Sequence, residues 1–183
     1  MLDYYVDIEI LEDSEFSNQI LLNAAYAKLH KQLSIREGKI GVSFPRHTEN
    51  FLGSLLRIHS NETELLRLMS EKWYGNLFSY LKIGKVLKVP RDTEYRCVAR
   101  VMEKKSIENR LRRAIKYNKK VTFDPNEVKE YIDKPYIVIK SISNQNTFKI
   151  FIDHKEIKNR VNYSREPAFS SYGLSDHVPI PWF

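Results

Sequence analysis

The sequence predicts an α+β fold, and three observations carry that reading. Segments of two-residue and helical periodicity alternate through the first half, a basic helix stands just past the middle, and a hairpin pattern follows it. Tyr4 to Leu11 sets Tyr5, Val6, Ile8 and Ile10 among the acids Asp7 and Glu9, the alternation of a strand with one wet face. From about Ser17 to Glu37, the residues Leu22, Ala25, Tyr26, Leu29 and Leu33 recur at helical spacing, and Gly38 is the stop. Ile40 to Phe44, closed by Pro45, and Leu55 to His59 read as strands on either side of a loop over 46–54. Asn61 caps a helix running through Leu65, Leu66, Leu68 and Met69, and Phe78 to Val89 alternates again before Pro90. Strand, helix, two strands, helix, strand is the ferredoxin-like order, which sheet-based RNA-binding modules also use. The aromatic signature of those modules is missing from Ile40 to Phe44 and Leu55 to His59, so the order speaks for fold and says little of function.

Pro90-Arg91-Asp92-Thr93 reads as a junction. It divides the chain into a ferredoxin-like domain over 1–92 and a second α+β domain over 93–183. Tyr95 to Val101 is an extended lead into the basic helix, expected over about 106–120. Ser106 is its N-cap, Glu108 favours the positive end of the helix dipole, and Ile107, Leu111, Ala114 and Ile115 form one narrow apolar stripe. Arg110, Arg112, Arg113, Lys116, Lys119 and Lys120 fall off that stripe, so the helix can be pinned by one side while it presents cations on the other. Asp124-Pro125-Asn126 is a turn, and Glu127 to Ile132 is a short helical piece or a loop. Tyr136 to Ser143 and Phe148 to Ile152 flank Asn144-Gln145-Asn146-Thr147, the residues of a β-hairpin. Tyr172-Gly173 marks a turn, and the bulky residues Pro181-Trp182-Phe183 close a core.

Charge narrows the function classes. The 183 residues carry a net charge of +7, and all of it lies in the second half: residues 1–90 hold 11 basic and 11 acidic side chains, residues 91–183 hold 19 and 12. Between 96 and 120 there are ten basic residues against two acids. So compact a positive field suits a phosphate backbone or an anionic membrane. The helix is too polar around its circumference, and too poor in Trp, Phe and Leu, for a membrane surface, which leaves nucleic acid as the partner. One cysteine, Cys97, gives neither an intrachain disulfide nor a thiolate metal cluster. Acids near the start and the lack of a membrane-length apolar run point to a cytoplasmic protein with no membrane association.

The candidate site residues are individually plain. None of His30, His47, His59, His154 and His177 pairs at the spacing of a zinc motif. His30 borders the first helix's apolar stripe beside Leu29, where an imidazole can carry protons near neutral pH; on spacing alone, a partly buried structural histidine is the stronger reading. Ser141 and Ser143 lie two apart on a strand and so share a face. Phe148 is either core or a stacking aromatic, and Tyr172 either a hydrogen-bond partner or a capping aromatic.

Taken together, Lys28-Leu29-His30-Lys31-Gln32-Leu33, Gly41-Val42-Ser43-Phe44-Pro45, Leu56-Arg57-Ile58-His59, Ala99-Arg100-Val101, Arg110-Leu111-Arg112-Arg113, Phe148-Lys149-Ile150-Phe151-Ile152-Asp153-His154, Tyr172-Gly173-Leu174-Ser175 and Pro181-Trp182-Phe183 resemble the type I-F (Csy-type) CRISPR repeat-processing endoribonucleases. The similarity runs from the first strand to Phe183. It implies a ferredoxin-like domain followed by one with an arginine-rich helix, and cleavage of the repeat hairpin of precursor CRISPR RNA at the 3′ base of its stem. The implied reaction needs no metal and no cofactor: the ribose 2′-hydroxyl attacks the adjacent phosphate and leaves a 2′,3′-cyclic phosphate and a 5′-hydroxyl. By position, His30 matches the catalytic base, Ser141 the serine that holds the hydroxyl, Tyr172 the tyrosine that positions the histidine, and Phe148 the aromatic that stacks on the terminal base pair. Ser143 is a second hydroxyl on the strand face of Ser141.

The resemblance also implies partners. These are the repeat hairpin, the mature crRNA that stays bound, and the other subunits of a type I-F surveillance complex, which the protein joins as an RNA-bound monomer. Two positions depart from the family pattern. Arg100 matches an arginine that reads guanine, but Met102 stands where an amide side chain reads adenine, and methionine cannot make a bidentate contact. Along the basic helix Arg110, Arg112 and Arg113 match, whereas Ala114, Tyr117 and Asn118 replace further arginines; Lys116, Lys119 and Lys120 keep the charge as points rather than forks. The competing class is a non-catalytic RNA-hairpin-binding module, which has no need of His30, Ser141 and Tyr172 together.

Overall fold

A computed structural model describes residues 2–101, 104–118, 134–140, 146–157 and 168–183. Among these residues the structure is mixed α and β, with two antiparallel sheets. The first half runs β1 (Tyr4–Ile10), α1 (Asn18–Ser34), β2 (Gly41–Ser43), β3 (Leu55–Ser60), α2 (Glu62–Ser70), β4 (Leu81–Ile83) and β5 (Leu87–Lys88). Its sheet has the order β2-β3-β1-β4, with β5 also pairing β1. The second half supplies β6 (Glu94–Val101), α3 (Lys104–Lys116), β7 (Tyr136–Lys140), β8 (Thr147–Glu156) and β9 (Ile180–Trp182), in a sheet ordered β7-β8-β6-β9.

The alternation of β1 works as read: Val6, Ile8 and Ile10 are buried while Asp7 and Glu9 face outward. The α1 stripe of Leu22, Ala25, Tyr26, Leu29 and Leu33 is buried, and each of its three leucines contributes roughly 1.5–3 kcal/mol of hydrophobic stabilisation. Asn61 Oδ1 accepts the Glu64 amide at the start of α2. The two strands of the expected hairpin pair antiparallel, with Lys140 opposite Thr147 and Ile139 opposite Phe148; Thr147, read as part of the turn, opens β8, and 141–145 lie outside the described residues.

One buried cluster runs through both sheets, and the two ends of the chain close over it. Arg57 on β3 pairs with both oxygens of Asp7 at 2.7 and 2.9 Å and donates to the Phe183 carbonyl oxygen at 2.7 Å. Its guanidinium also lies 3.9 Å from the Phe183 ring centroid. Beneath it, Ser43 and His59 are fully buried and share a 2.8 Å hydrogen bond.

Three expectations need correction. Phe78 to Val89 is not one strand. Gly75–Tyr80 is a 3-10 turn with Phe78 62% exposed, and pairing resumes in the separate β4 and β5. The break falls at Gly84, whose amide donates to the Asp7 carbonyl at 2.8 Å; a Cβ there would stand 2.9 Å from that oxygen. The basic helix starts at Lys104, so Ser106 sits in its first turn and does not cap it; the two preceding lysines are better helix formers than serine. Ile115 is 80% exposed. At about 100° per residue it lies beyond Leu111 on the side away from Ala114, off the half-buried edge that those two form. The segment 124–132 lies outside the described residues.

Candidate active site

Position 30 falls on the last full turn of α1, after the buried Leu29 and beside the rim of the core, and its ring is half-buried. Nδ1 of His30 is 2.8 Å from the Ser171 carbonyl oxygen. A carbonyl only accepts, so in the neutral ring Nδ1 carries the proton and Nε2 keeps the lone pair. The Tyr172 ring stacks on the imidazole, centroids 4.5 Å apart and planes 12° from parallel. Arg100, near the end of β6, sets its guanidinium 5.4 Å from the Tyr172 ring centroid.

The turn that delivers Ser171 and Tyr172 is braced on three sides. Ser170 Oγ donates to the Leu174 carbonyl at 2.9 Å and the Gly173 amide to the Ser170 carbonyl at 2.8 Å. The Val42 amide of β2 donates to the Gly173 carbonyl at 2.9 Å, and the Ser175 amide to the Val98 carbonyl of β6 at the same distance. Gly173 has φ +69°, and a Cβ there would lie 2.2 Å from Val42 Cγ2, so the turn seats against β2 only with glycine at this position.

The other histidines have different surroundings. Burial, with the Arg57 charge adding to it, pushes His59 down to about 3. Burial and the neighbouring His47 push His154 to about 3 as well, the two rings stacking at 3.7 Å between centroids. His47 is itself shifted below its ordinary value by burial. His177 is exposed and bonds Asp176 through Nδ1 at 2.6 Å. His47 shares the half-buried setting, with Nδ1 3.0 Å from the Phe44 carbonyl oxygen and its ring stacked on His154. His30 differs in that its carbonyl partner, Ser171, and its stacked neighbour, Tyr172, come from one turn at the far end of the chain.

His30, Tyr172 and Arg100 are thus brought together from three separate elements. Phe148 is the second residue of β8, half-buried against the core. Arg112, Arg113 and Lys116 are exposed on α3, and Arg110 lies on the same helix. Ser141, Ser143, Met102, Lys119 and Lys120 lie outside the described residues. Sequence reasoning missed the part that Ser171 plays, because it is made by a main-chain carbonyl that carries no residue signature. It also read Tyr26 only as core, whereas its hydroxyl donates to the Tyr172 carbonyl at 2.5 Å.

The profile of the CRISPR-associated protein (Cas_Csy4) family matches residues 5–183. The chain belongs to this family. Among curated relatives, the CRISPR-associated endonuclease Cas6/Csy4 of Escherichia coli (strain UTI89 / UPEC) is 36% identical over 191 residues. The CRISPR-associated endonuclease Cas6/Csy4 of Pseudomonas aeruginosa (strain UCBPP-PA14) is 34% identical over 191 residues. Each comparison covers 100% of both chains. Membership of the Csy4 family agrees with the resemblance that the sequence motifs carry, and no helix among the described residues is long and apolar enough to cross a membrane.

Proposed function

We propose that this Csy4-family protein is a metal-independent endoribonuclease that binds the repeat stem-loop of precursor CRISPR RNA and cuts at the 3′ base of the stem. The observation that carries the reading is His30: a half-exposed imidazole whose Nδ1 is committed to the Ser171 carbonyl and whose Nε2 is left to take a proton. Nε2 accepts the proton of the ribose 2′-hydroxyl, the 2′-oxygen bonds to the adjacent phosphorus, and the bond from phosphorus to the 5′-oxygen breaks. The products are a 2′,3′-cyclic phosphate and a 5′-hydroxyl, the departing 5′-oxygen taking a proton from water while the imidazolium returns its own to solvent. A 2′-hydroxyl is a poor nucleophile, so a base in contact and an in-line ribose supply much of the rate. Ser141, with Ser143 beside it on the strand, holds that hydroxyl, and Tyr172 orients the base.

Recognition falls to the second half. Arg100 reads a guanine edge, Phe148 stacks on the terminal pair, and Arg110, Arg112, Arg113 and Lys116, with Lys119 and Lys120, hold the stem phosphates. Met102 offers no bidentate contact, so reading at its base pair is relaxed relative to the family pattern. The strand order β2-β3-β1-β4, every neighbour antiparallel and two helices in the connections, supports a ferredoxin-like domain over 1–92 and a second domain over 93–183. The protein stays on its product and enters a cytoplasmic surveillance complex with other type I-F subunits.

The test is cleavage of the cognate repeat hairpin in excess EDTA. The hairpin is cut, and a single 2′-deoxy substitution before the scissile phosphate stops cleavage while leaving binding nearly intact. Cutting of the deoxy substrate at the ordinary rate would overturn the mechanism. Tight binding with no cutting of the natural hairpin would favour the non-catalytic binding module.

A further inference from the structure

His30 is one of four polar side chains that share a stripe of α1. Gln19, Asn23, Tyr26 and His30 follow one another at intervals of four, three and four, the spacing that stacks residues on one helix face. Every one of them grips the backbone of the second half. Gln19 Nε2 donates to the Tyr136 carbonyl at 3.1 Å and to Asn23 Oδ1 at 3.0 Å. Asn23 Oδ1 accepts the Val138 amide at 3.0 Å. Tyr26 donates to the Tyr172 carbonyl, and His30 to the Ser171 carbonyl.

These contacts fall on two elements. Tyr136 and Val138 belong to β7, which among the described residues pairs only with β8, so Gln19 and Asn23 take up backbone groups along its other edge. β7 ends at Lys140, one residue before Ser141. Ser171 and Tyr172 belong to the turn that holds the His30 ring by its edge and its face. One rigid helix face therefore sets the offset of both elements from the imidazole it carries.

We propose that Asn23 and Tyr26 are positioning residues for the reaction assigned above: Asn23 fixes the strand that leads to Ser141, and Tyr26 fixes the turn whose Ser171 carbonyl keeps the His30 proton on Nδ1. The inference rests on that reading for its catalytic consequence, though the tautomer it assigns to His30 does not. Hydrogen-bond chemistry supports both roles. Tyr26 is fully buried, and burial raises its phenol well above the ordinary value, so it stays a donor at any working pH. Burial disfavours the phenolate, and the hydroxyl therefore acts through its proton. Asn23 acts through Oδ1 as an acceptor, a capacity that aspartate shares and alanine lacks.

The experiment uses the full chain with Tyr26→Phe, Asn23→Ala and Asn23→Asp, and reads three quantities. These are the single-turnover cleavage rate of the repeat hairpin, the dissociation constant for an uncleavable 2′-deoxy hairpin, and the 15N shifts of the His30 ring in the free protein at mildly alkaline pH. Tyr26→Phe removes one oxygen and leaves the ring in the core. It is expected to slow cleavage roughly tenfold or more with hairpin affinity unchanged within about twofold, and to shift His30 from the pure Nδ1–H form toward a mixture of tautomers. Asn23→Ala is expected to slow cleavage with the His30 shifts unmoved, and Asn23→Asp to restore most of the rate. The proposal is overturned if Tyr26→Phe leaves His30 in the Nδ1–H form, if Asn23→Asp is no faster than Asn23→Ala, or if rate and affinity fall together. A wild-type protein that binds the hairpin without cutting it sinks the endonuclease reading instead, while the ring shifts still report on Tyr26.

Discussion

The His30 imidazole and the Tyr172 phenol lie face to face at 4.5 Å, and no hydrogen bond between the two side chains is needed to hold them there. The contact is ring against ring. Tyr172→Phe is therefore expected to keep most of the cleavage rate, whereas Tyr172→Ala, which frees one face of the imidazole, is expected to lose roughly tenfold or more with little change in hairpin affinity. His30→Ala removes the proposed base and is expected to cost on the order of 100-fold to 10,000-fold in single-turnover rate with binding retained. If Tyr172→Phe fell as far as Tyr172→Ala, the hydroxyl and not the stack would be the working part.

How far this site was legible depends on which link of the chain carried it. Periodicity gave α1 and put His30 at the border of its buried stripe, and the Tyr172-Gly173 pair announced a turn. Their meeting was not readable from local pattern, because His30 and Ser171 are 141 positions apart and joined through a main-chain atom. Only the family-like motifs, read together, linked the two ends of the chain. The boundaries that failed, at Ser106 and at Phe78, failed where a local signal competed with backbone approach or with neighbouring helix formers. Tyr26 shows a further limit: a residue at a core position can bury its ring and still spend its hydroxyl on a site.

Gly173→Ala gives a test of the turn itself. The left-handed φ and the 2.2 Å approach to Val42 Cγ2 act together against any Cβ, so this change should destabilise the fold by about 2–4 kcal/mol. Cleavage should fall further than the loss of folded protein explains, since the turn supplies both supports of His30. Denaturant titration alongside single-turnover kinetics separates the two effects. A wild-type melting profile would show that the turn can move off β2 at no cost.

His59 makes stability depend on pH. The folded protein holds it neutral, with burial and then the Arg57 charge pressing it down to about 3, against about 6.5 in an unfolded chain. The unfolded state thus binds a proton between those values that the folded state refuses. Stability from this group is complete above about 6.5 and declines as the pH falls toward 3, by about 1.4 kcal/mol per unit while only the unfolded form is charged. His59→Gln, whose amide can still meet Ser43 Oγ, should lower the slope of denaturation free energy against pH in that window by one proton. An unchanged slope would mean that His59 takes up its proton in the folded state.

Salt dependence separates holding RNA from cutting it. Arg112, Arg113 and Lys116 are exposed on α3, the next element in sequence after the strand carrying Arg100, where their charges can meet phosphates under the proposed reading. Each phosphate neutralised releases counterions, and affinity then falls linearly with salt on logarithmic axes. Arg113→Ala should weaken hairpin binding severalfold and reduce that slope by about 0.7–0.9, the share of one contact. At saturating protein its single-turnover rate should match the wild type, because no part of the His30 cluster has changed. Arg100→Ala should behave otherwise: its guanidinium lies over the Tyr172 ring, so its loss should lower both affinity and the saturated rate. Equal saturated rates for the two variants would place Arg100 among the phosphate-binding cations and sever recognition from the stack on His30.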